Sequence, residues 1–305
     1  MTGTTNQENI NGHTVGTDLP QAPTDLSFSC VEGFFVQGNK EIDDQEFNYL
    51  TANFGLAKDS WESFQEEFNK LVASEDENTR YKVLFLARHG QGYHNYMIET
   101  HGQEAWDTKY NEMEHNDEYT WAPDPELTPL GVQQARDNNS EWKNQVKKGI
   151  PMPTRWYVSP MTRSINTMLT TWDGIVDLTT EKRPLVVEDL REDLDYNTCN
   201  RRRPKSYIHK RFPMLRFEPS FPENDQLWAA DYDEGESGHD VRTSRFLARL
   251  FAKDWDSPQD ADRYVSTTSH AGTIYSFQRV IGHRPFKMGT GGMIPVIVKA
   301  TKPSA

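Results

Sequence analysis

An apolar run in this chain ends in three residues of very different chemistry. Residues 83–87 read Val-Leu-Phe-Leu-Ala, and Arg-His-Gly follows at 88–90. A continuous apolar run of this length predicts a strand buried on both faces of a sheet. Ligands bind beyond the carboxyl ends of strands in open α/β sheets, so this strand would deliver Arg88 and His89 to a binding edge. Gly90 would let the backbone turn there and approach a bound group closely.

The same pattern recurs along most of the chain after Tyr81. Apolar runs predict strands at 82–87, 154–158, 184–189, 263–269 and 293–299. Amphipathic segments predict helices at 128–148, 161–177, 237–254 and 271–282. Such alternation is typical of a mostly parallel sheet with helices on both faces. We therefore predict a three-layer α/β/α fold in a single domain at 25–305.

Three segments lie outside this alternation. Residues 1–24 are rich in Thr, Asn, Gly and Gln and lack the apolar core of a secretory signal, so we expect a flexible tail and no secretion. Apolar residues at 44–73 predict short amphipathic helices, with N-cap chemistry at Asp59 and Ser60. The insertion at about 193–236 is long and punctuated by proline, and we interpret it as a lid over the site.

Charge and cysteine usage exclude several classes of partner. The net charge of -13 argues against nucleic acid and anionic membrane surfaces, and no apolar stretch has transmembrane length. Cys30 and Cys199 lie far apart, without a second Cys or His at metal-binding spacing. We therefore predict no disulfide framework and a cytoplasmic location, with a nuclear one left open.

Three other predicted strands also end in residues that suit a bound phosphate. Ser-Pro-Met-Thr-Arg-Ser opens a helix at 159–164, which puts Arg163 in the first turn, where helix ends favour anions. The segment 188–192 supplies a carboxylic acid that could move a proton, and His270 follows the strand at 263–269. Each feature is weak alone, but four of them at one sheet edge predict phosphoryl transfer with a histidine nucleophile.

In this order the motifs resemble those of the histidine phosphatase superfamily, which has a phosphoglycerate mutase-like fold, over roughly 81–300. The matching pieces are RHG at 88–90 with Asn95, LTPLG and QQA within 127–135, SPMTRSINT at 159–167, LRE at 190–192, GES at 235–237 and SHAG at 269–272. Residues 190–203 and 235–240 look most similar to the fungal phosphomutase-like proteins.

The resemblance implies a role for each central side chain. His89 would attack phosphorus and become a phosphohistidine. Arg88, Arg163 and His270 would surround the three equatorial oxygens and stabilise their charge. Glu192 would protonate the leaving alcohol and then activate water.

Two parts of this assignment extend beyond the central residues. Asn95 would help to hold the phosphoryl group. Ala271 follows His270, where the acid-phosphatase branch carries an aspartate, so the proton donor should come from the region of Glu192. The alternatives in that region are Asp189, Asp193 and Asp195.

Other chemistries fit the sequence less well. The spacing of His89, His94, His101 and His115 matches no zinc pattern, and Arg88 and Arg163 would repel a dication, so we expect no metal and no cofactor. Cys199 lacks the arginine that a cysteine phosphatase carries six positions on. In the basic run 201–203, Arg201 and Arg202 would bind a second acidic group of the substrate, with a solvated turn as the alternative.

The sequence thus predicts a metal-independent phosphatase that hydrolyses a small phosphomonoester, a phosphorylated metabolite, through a phosphohistidine on His89. One alternative is a phosphomutase that uses the same intermediate. Another is a relative that acts on a non-phosphate ligand without phosphoryl transfer. The sequence predicts no oligomeric state.

Overall fold

One sheet in the computed structural model brings the separate motifs together. The structure describes residues 19–21 and 25–303. Its strands are β1 (Ser27–Cys30), β2 (Thr79–Arg88), β3 (Arg155–Val158), β4 (Leu185–Val186), β5 (Arg216–Phe217), β6 (Tyr264–Ser269) and β7 (Met293–Thr301). Their order across the sheet is β1-β7-β2-β6-β3-β4-β5. From β2 to β5 all neighbours are parallel, whereas β7 runs antiparallel to β1 and β2.

Helices cover both faces of this sheet. They are α1 (Trp61–Ala73), α2 (Tyr93–His101), α3 (Gln103–Thr108), α4 (Pro129–Lys147), α5 (Thr162–Trp172), α6 (Lys205–Arg211), α7 (Gly235–Ala252) and α8 (Ala271–Val280). One core contains side chains of α1, α4 and α5 with Val83 and Phe85 of β2. The other contains side chains of α7 and α8 with Leu84 and Leu86. Because neighbours in β2 point to opposite faces, the predicted three-layer α/β/α fold is confirmed.

The elements that begin in clear apolar runs or long amphipathic segments were predicted, even where the strand itself is as short as β3 or β4, and five other short elements were missed. The predicted strands correspond to β2, β3, β4, β6 and β7, and the predicted helices after residue 128 to α4, α5, α7 and α8. The sequence did not predict β1, β5, α2, α3 or α6, which contain between 2 and 9 residues each. Elements this short do not repeat their apolar spacing often enough to reveal a period.

The first part of the predicted helical region at 44–73 is wrong. Helix α1 starts only at Trp61, where the Ser60 hydroxyl caps it. Before it, the side chains of Asp43 and Asn48 accept hydrogen bonds from backbone N–H groups two residues on, at 2.8 and 3.0 Å. Phe54 has a left-handed φ of 57°. These local turns compete with a helix that the apolar spacing alone would favour.

The structure describes part of the predicted tail at 1–24 and all of the predicted lid at 193–236. Residues 1–18 and 22–24 lie outside the described residues, so the flexible tail stays a prediction there, whereas Leu19 is buried against the core that contains α7. The insertion at 193–236 contains α6 and β5, and β5 pairs with β4 in the sheet. Part of the predicted lid is therefore an edge strand. No helix in the described part of the chain is long and apolar enough to cross a membrane.

We expect Phe64→Ala to lower the free energy of unfolding by about 3–5 kcal/mol, because the change leaves a cavity in a fully packed aromatic cluster. Phe64 is completely buried, and its ring centroid lies 5.4 Å from those of Phe35 and Trp61. Urea denaturation measures the loss. Val146→Ala, at an exposed position of α4, is the control and should change stability by less than ~0.5 kcal/mol. Similar losses in both variants would contradict this packing.

Candidate active site

Four adjacent strands, β2, β6, β3 and β4, lead into the predicted catalytic residues at their carboxyl ends. These residues are Arg88 at the end of β2 and His89 directly after it, His270 after β6, Arg163 after β3 and Glu192 after β4. Backbone hydrogen bonds continue beyond the strands, as from His89 N–H to Ser269 O at 3.0 Å. The site therefore lies at the edge that the sequence predicted.

His89 is held as one neutral tautomer. It is 1% exposed, and its Nδ1 lies 2.6 Å from Gly90 O, so Nδ1 carries the proton and donates it. Nε2 then keeps its lone pair, to which Arg163 Nε donates at 3.3 Å. Burial, and then the charges of Arg163 and Arg88, lowers the pKa of His89 well below its usual value. His89 is thus available as a nucleophile at neutral pH.

Arg163 is buried against the insertion that follows β4. Its Nη1 donates to Cys199 O at 3.1 Å, and its Nη2 donates to Asn200 Oδ1 at 3.2 Å. Burial raises the pKa of the Cys199 thiol to about 12, and Cys30 and Cys199 are both free thiols. Cys199 therefore contributes a carbonyl to the site, and its thiol stays protonated at neutral pH.

Arg88 and His270 bring further nitrogen atoms to His89. Arg88 Nη1 donates to Met288 O at 2.7 Å, while its buried Nε has no partner among the described residues. His270 Nε2 lies 2.7 Å from Ser159 Oγ, and its buried Nδ1 has no partner in the same part of the chain. The rings of His89 and His270 are 5.0 Å apart. Unpaired nitrogens next to positive charges match an anion that offers several acceptor oxygens.

A buried carboxylate that the sequence analysis missed fixes the start of α5. Asp124 accepts hydrogen bonds from Thr162 N–H at 2.7 Å and from Thr162 Oγ1–H at 2.6 Å. Burial raises the pKa of the Asp124 carboxyl, which the two donors partly counteract. Because Thr162 precedes Arg163, this contact sets the direction of the first turn. No motif in the sequence marks Asp124.

Glu192 brings a carboxyl group to the two histidines. One of its oxygens and one ring nitrogen each of His89 and His270 lie within 4.8 Å of one another. Gly272 N–H donates to Glu192 Oε1 at 2.9 Å. Burial raises the pKa of Glu192 to about 7, and the negative charge of Asp193 is the second cause. The positive charges of Arg163 and Arg88 act in the opposite direction. A carboxyl group with this pKa can both give and take a proton at neutral pH.

The three alternative proton donors are engaged elsewhere. Asp189 forms ion pairs with two arginines of α7, and Asp195 accepts hydrogen bonds from the amides of two asparagines. Asp193 Oδ1 lies 2.7 Å from His239 Nδ1. Among these four described carboxylates, Glu192 is the one grouped with His89 and His270.

Two glycines allow the loop after β2 to touch the start of α4. A Cβ on Gly90 would collide with the backbone of Gly131, and a Cβ on Gly131 would collide with the backbone of Gln91. Thr128 caps α4 by accepting from Gly131 N–H at 3.1 Å. Gly90 is therefore needed for a contact within the protein, and its close approach to a bound group stays a prediction. The LTPLG motif at 127–131 supplies the other side of this contact.

Arg202 is a structural residue, which corrects its prediction as a substrate-binding one. Its side chain is fully buried, and Nε donates to Glu188 Oε1 at 2.6 Å. The two Nη atoms donate to four backbone carbonyls, of residues 203, 222, 223 and 224. The guanidinium also lies 4.4 Å from the ring centroid of Phe221. All five N–H donors are thus occupied within the protein.

Arg201 and Asn95 are partly exposed and also have partners. Arg201 Nη2 donates to Glu114 Oε1 at 2.5 Å, and its guanidinium lies 5.1 Å from the Trp228 ring centroid. Asn95 Oδ1 accepts from Gly92 N–H at 3.0 Å, which caps the start of α2. Substrate binding by Arg201 and Asn95 stays a prediction.

Other residues of the site were missed or considered for a different role. His94, weighed only as a metal ligand, is buried with its ring 5.5 Å from that of His89. Arg242 Nη2 donates to Glu192 O at 3.1 Å and so supports the backbone of that residue. Asn200, which accepts a hydrogen bond from Arg163, lies in the stretch that resembles the fungal phosphomutase-like proteins. That resemblance was the sequence signal that could have marked Asn200 as a site residue. Arg242 has no comparable signal, because its contact depends on tertiary structure.

The grouping of Glu192 with two histidines resembles a cation site in geometry, but the charges around it favour an anion. The grouped atoms lie within 4.8 Å of one another. Arg163 donates to His89 itself, and the charge of Arg88 acts on His89 and Glu192. Two guanidinium groups attract a dianion and repel a dication at the same position.

Comparison with known proteins supports the resemblance seen in the sequence. No family model matches the chain. A probable phosphoglycerate mutase from Arthroderma benhamiae is 34% identical over 291 residues, which cover 90% of this chain and 84% of that protein. The chain belongs to the phosphoglycerate mutase-like family. Phosphomutase-like protein 3 of Candida albicans, another similar protein, is 33% identical over 89% of this chain and 79% of its own length.

A more distant match comes from the solved structures. A mycobacterial glucosyl-3-phosphoglycerate phosphatase matches with a TM-score of 0.41 and 20% identity. The match covers 72% of this phosphoglycerate mutase-like chain and 91% of the mycobacterial one.

The two neighbouring arginines should differ in their effect on stability. We expect Arg202→Ala to lower the free energy of unfolding by about 3–5 kcal/mol, because it leaves Glu188 buried with one guanidinium fewer. Arg201→Ala removes a partly exposed ion pair and should cost at most about 1 kcal/mol. Urea denaturation followed by tryptophan fluorescence measures both. Equal, small losses would show that Arg202 is not held as described.

Proposed function

We propose that this protein is a metal-independent phosphatase that transfers a phosphoryl group from a small phosphorylated metabolite to His89 and then to water. The observation that carries the proposal is the convergence on one neutral imidazole of two guanidinium groups and a carboxyl group whose pKa is about 7. Family membership supports phosphoryl transfer as the type of reaction.

In the first step, the lone pair of His89 Nε2 attacks phosphorus while the bond to the leaving oxygen breaks. The protonated Glu192 carboxyl gives its proton to that oxygen. Arg88, Arg163 and His270 offer donors to the three equatorial oxygens. The hydrogen bond from His89 Nδ1–H to Gly90 O, at 2.6 Å, stabilises the positive charge of the phosphorylated ring.

In the second step, water attacks the phosphohistidine and the bond between phosphorus and nitrogen breaks. The Glu192 carboxylate takes the proton from that water and returns to its starting form. Arg88 and Glu192 are the partly exposed members of the site, whereas His89, Arg163 and His270 are buried. This supports an approach of water from the side of Glu192.

A phosphomutase is the second candidate, since the two fungal relatives named above carry mutase or phosphomutase-like names. It would share the first step and differ in the second, where an alcohol group of the substrate accepts the phosphoryl group in place of water. A relative that binds a non-phosphate ligand would make no phosphohistidine at all.

We expect the wild-type protein to hydrolyse p-nitrophenyl phosphate in excess EDTA, and His89→Ala to lose this activity by ~10⁴-fold or more, because it removes the nucleophile. His115→Ala, which changes an exposed histidine, is the matched control and should retain it. Nitrophenol and inorganic phosphate are measured together, with and without an added alcohol acceptor.

Equal release of the two products would identify water as the acceptor. Nitrophenol released with less phosphate in the presence of the alcohol would favour the phosphomutase. No turnover and no acid-labile phosphoenzyme with any phosphomonoester would contradict the proposal.

Glu192→Gln should lower kcat/KM by ~10²–10⁴-fold for an alkyl phosphate, because an alkoxide leaves poorly without a proton. The loss should be much smaller for p-nitrophenyl phosphate, whose leaving group is stable as an anion. The ratio of kcat/KM for the two substrates, compared with that of the wild type, is the measurement. An equal loss for both would argue that Glu192 is not the proton donor.

A further inference from the structure

Two carboxyl groups meet at the start of α8. Glu192 Oε1 accepts hydrogen bonds from Gly272 N–H at 2.9 Å and from Asp193 N–H at 3.2 Å. A Cβ on Gly272 would collide with both Glu192 Oε1 and Asp193 Oδ2, so the two side chains lie against the same small surface. Two carboxyl groups this close repel each other when both are ionised, so one of them tends to keep a proton.

The surroundings decide which group keeps the proton. The Asp193 side chain is 49% exposed, and water stabilises its ionised form. Partial burial tends to raise the pKa of Asp193, but the hydrogen bond from His239 and nearby positive charges outweigh it and hold this pKa below its usual value. Glu192 faces the buried rings of His89 and His270, where a charge is poorly solvated.

His239 holds Asp193 without cancelling its charge. The histidine is fully buried, and its Nδ1 lies 2.7 Å from Asp193 Oδ1, so Nδ1 carries the donated proton. Its Nε2 has no partner among the described residues. Burial lowers the pKa of His239, which makes it a neutral donor. The negative charge of Asp193 therefore remains to act on Glu192.

The other charged groups near the pair come from four elements. The positive ones, on β2, α5, α7 and α8, are Arg88, Arg163, Arg242 and Arg279. Arg242 is paired with Glu234, and Arg279 with Asp240. The remaining titratable groups fall into two sets. Near Glu192 they are His89, His270, Cys199 and Tyr275, and near Asp193 they are Asp195, Glu234 and His239. Arg88 and Arg163 thus favour ionised Glu192, and Asp193 opposes them from the outer side.

We propose that Asp193, oriented by His239, is a positioning residue that keeps the proton on Glu192 for transfer to the leaving group. The inference rests on the proposed function and extends it to the control of the general acid. It also gives a role to the histidine of the Gly-Glu-Ser-Gly-His-Asp sequence at 235–240.

The direct test is a titration of Glu192 by carbon-13 NMR in protein labelled on its glutamate carboxyl groups. The Glu192 signal is identified by its absence in Glu192→Gln. In Asp193→Asn we expect the pKa of Glu192 to fall by ~1 unit, because a neighbouring negative charge has been removed. The alkaline limb of kcat/KM for an alkyl phosphate should move to lower pH by the same amount, since Glu192 loses its proton earlier.

Two sets of variants make the test specific. Asp231→Asn removes the same charge at an exposed position of the same insertion and should leave the pKa of Glu192 unchanged. His239→Asn keeps an N–H donor near the position of Nδ1 and should also leave the pKa of Glu192 unchanged. His239→Leu removes the donor that holds Asp193 against Gly272, so the carboxylate is free to turn into water, and the pKa of Glu192 should fall, though by less than in Asp193→Asn.

An unchanged Glu192 titration in both Asp193→Asn and His239→Leu would overturn the inference, even if activity fell. If one of these variants does not fold, the other decides. The NMR titration needs no turnover, so failure of the proposed phosphatase activity would be seen separately, as wild-type protein that releases no phosphate.

Discussion

A neutral histidine accepts a hydrogen bond from the fully buried guanidinium of Arg163 and lies in the field of a second one, that of Arg88, and much of the neighbouring structure stabilises that arrangement. Removing the charge of Arg163 from water costs several kcal/mol unless polar groups replace the water. The carbonyl of Cys199 and the amide oxygen of Asn200 do so for its Nη atoms. The imidazole of His89 accepts from Nε, and it can do so only while it is neutral. Burial of Arg163 and neutrality of His89 therefore depend on each other.

The insertion after β4 connects this arrangement to the edge of the sheet. Arg191 forms a two-point ion pair with Asp225 at 2.7 Å, and Glu188 accepts from Arg202. Buried pairs of this kind stabilise little overall, but breaking one leaves an unpaired charge. The insertion thus holds the carbonyls that face Arg163 and the backbone of Glu192 in fixed relation, which a freely moving lid would not do.

The strands and the site residues at their ends could be predicted from the sequence for one physical reason. A strand buried on both faces must be a continuous apolar run, and polar residues directly after it must lie at the sheet edge, so β2, β3, β4 and β6 could be placed together with the side chains that follow them. Asp124 could not be found this way, because its contact with Thr162 joins segments that no period connects.

Two predictions from the sequence were wrong, the helix before Trp61 and substrate binding by Arg202, and their causes are related. Apolar spacing at 44–56 suggested a helix because hydrophobicity does not report the turns that Asp43 and Asn48 impose. In the basic run 201–203, charge alone did not show which side chain points inward. Arg202 is enclosed by carbonyls, while Arg201 lies over Trp228 at the surface.

The choice of the group that accepts the phosphoryl group depends on the solvent-facing side of the site. Glu192 and Arg88 are partly exposed there, whereas the nucleophile His89 is buried. A phosphoryl group on His89 Nε2 would lie next to Glu192, so any acceptor must come within reach of that carboxyl group. Water needs only the space between Glu192 and phosphorus, whereas a mutase product must stay bound and turn to present a second hydroxyl. Groups outside the catalytic cluster must supply such retention. Arg202 cannot contribute to such retention, because all its N–H donors are occupied within the protein, so a mutase would have to hold its product with other groups.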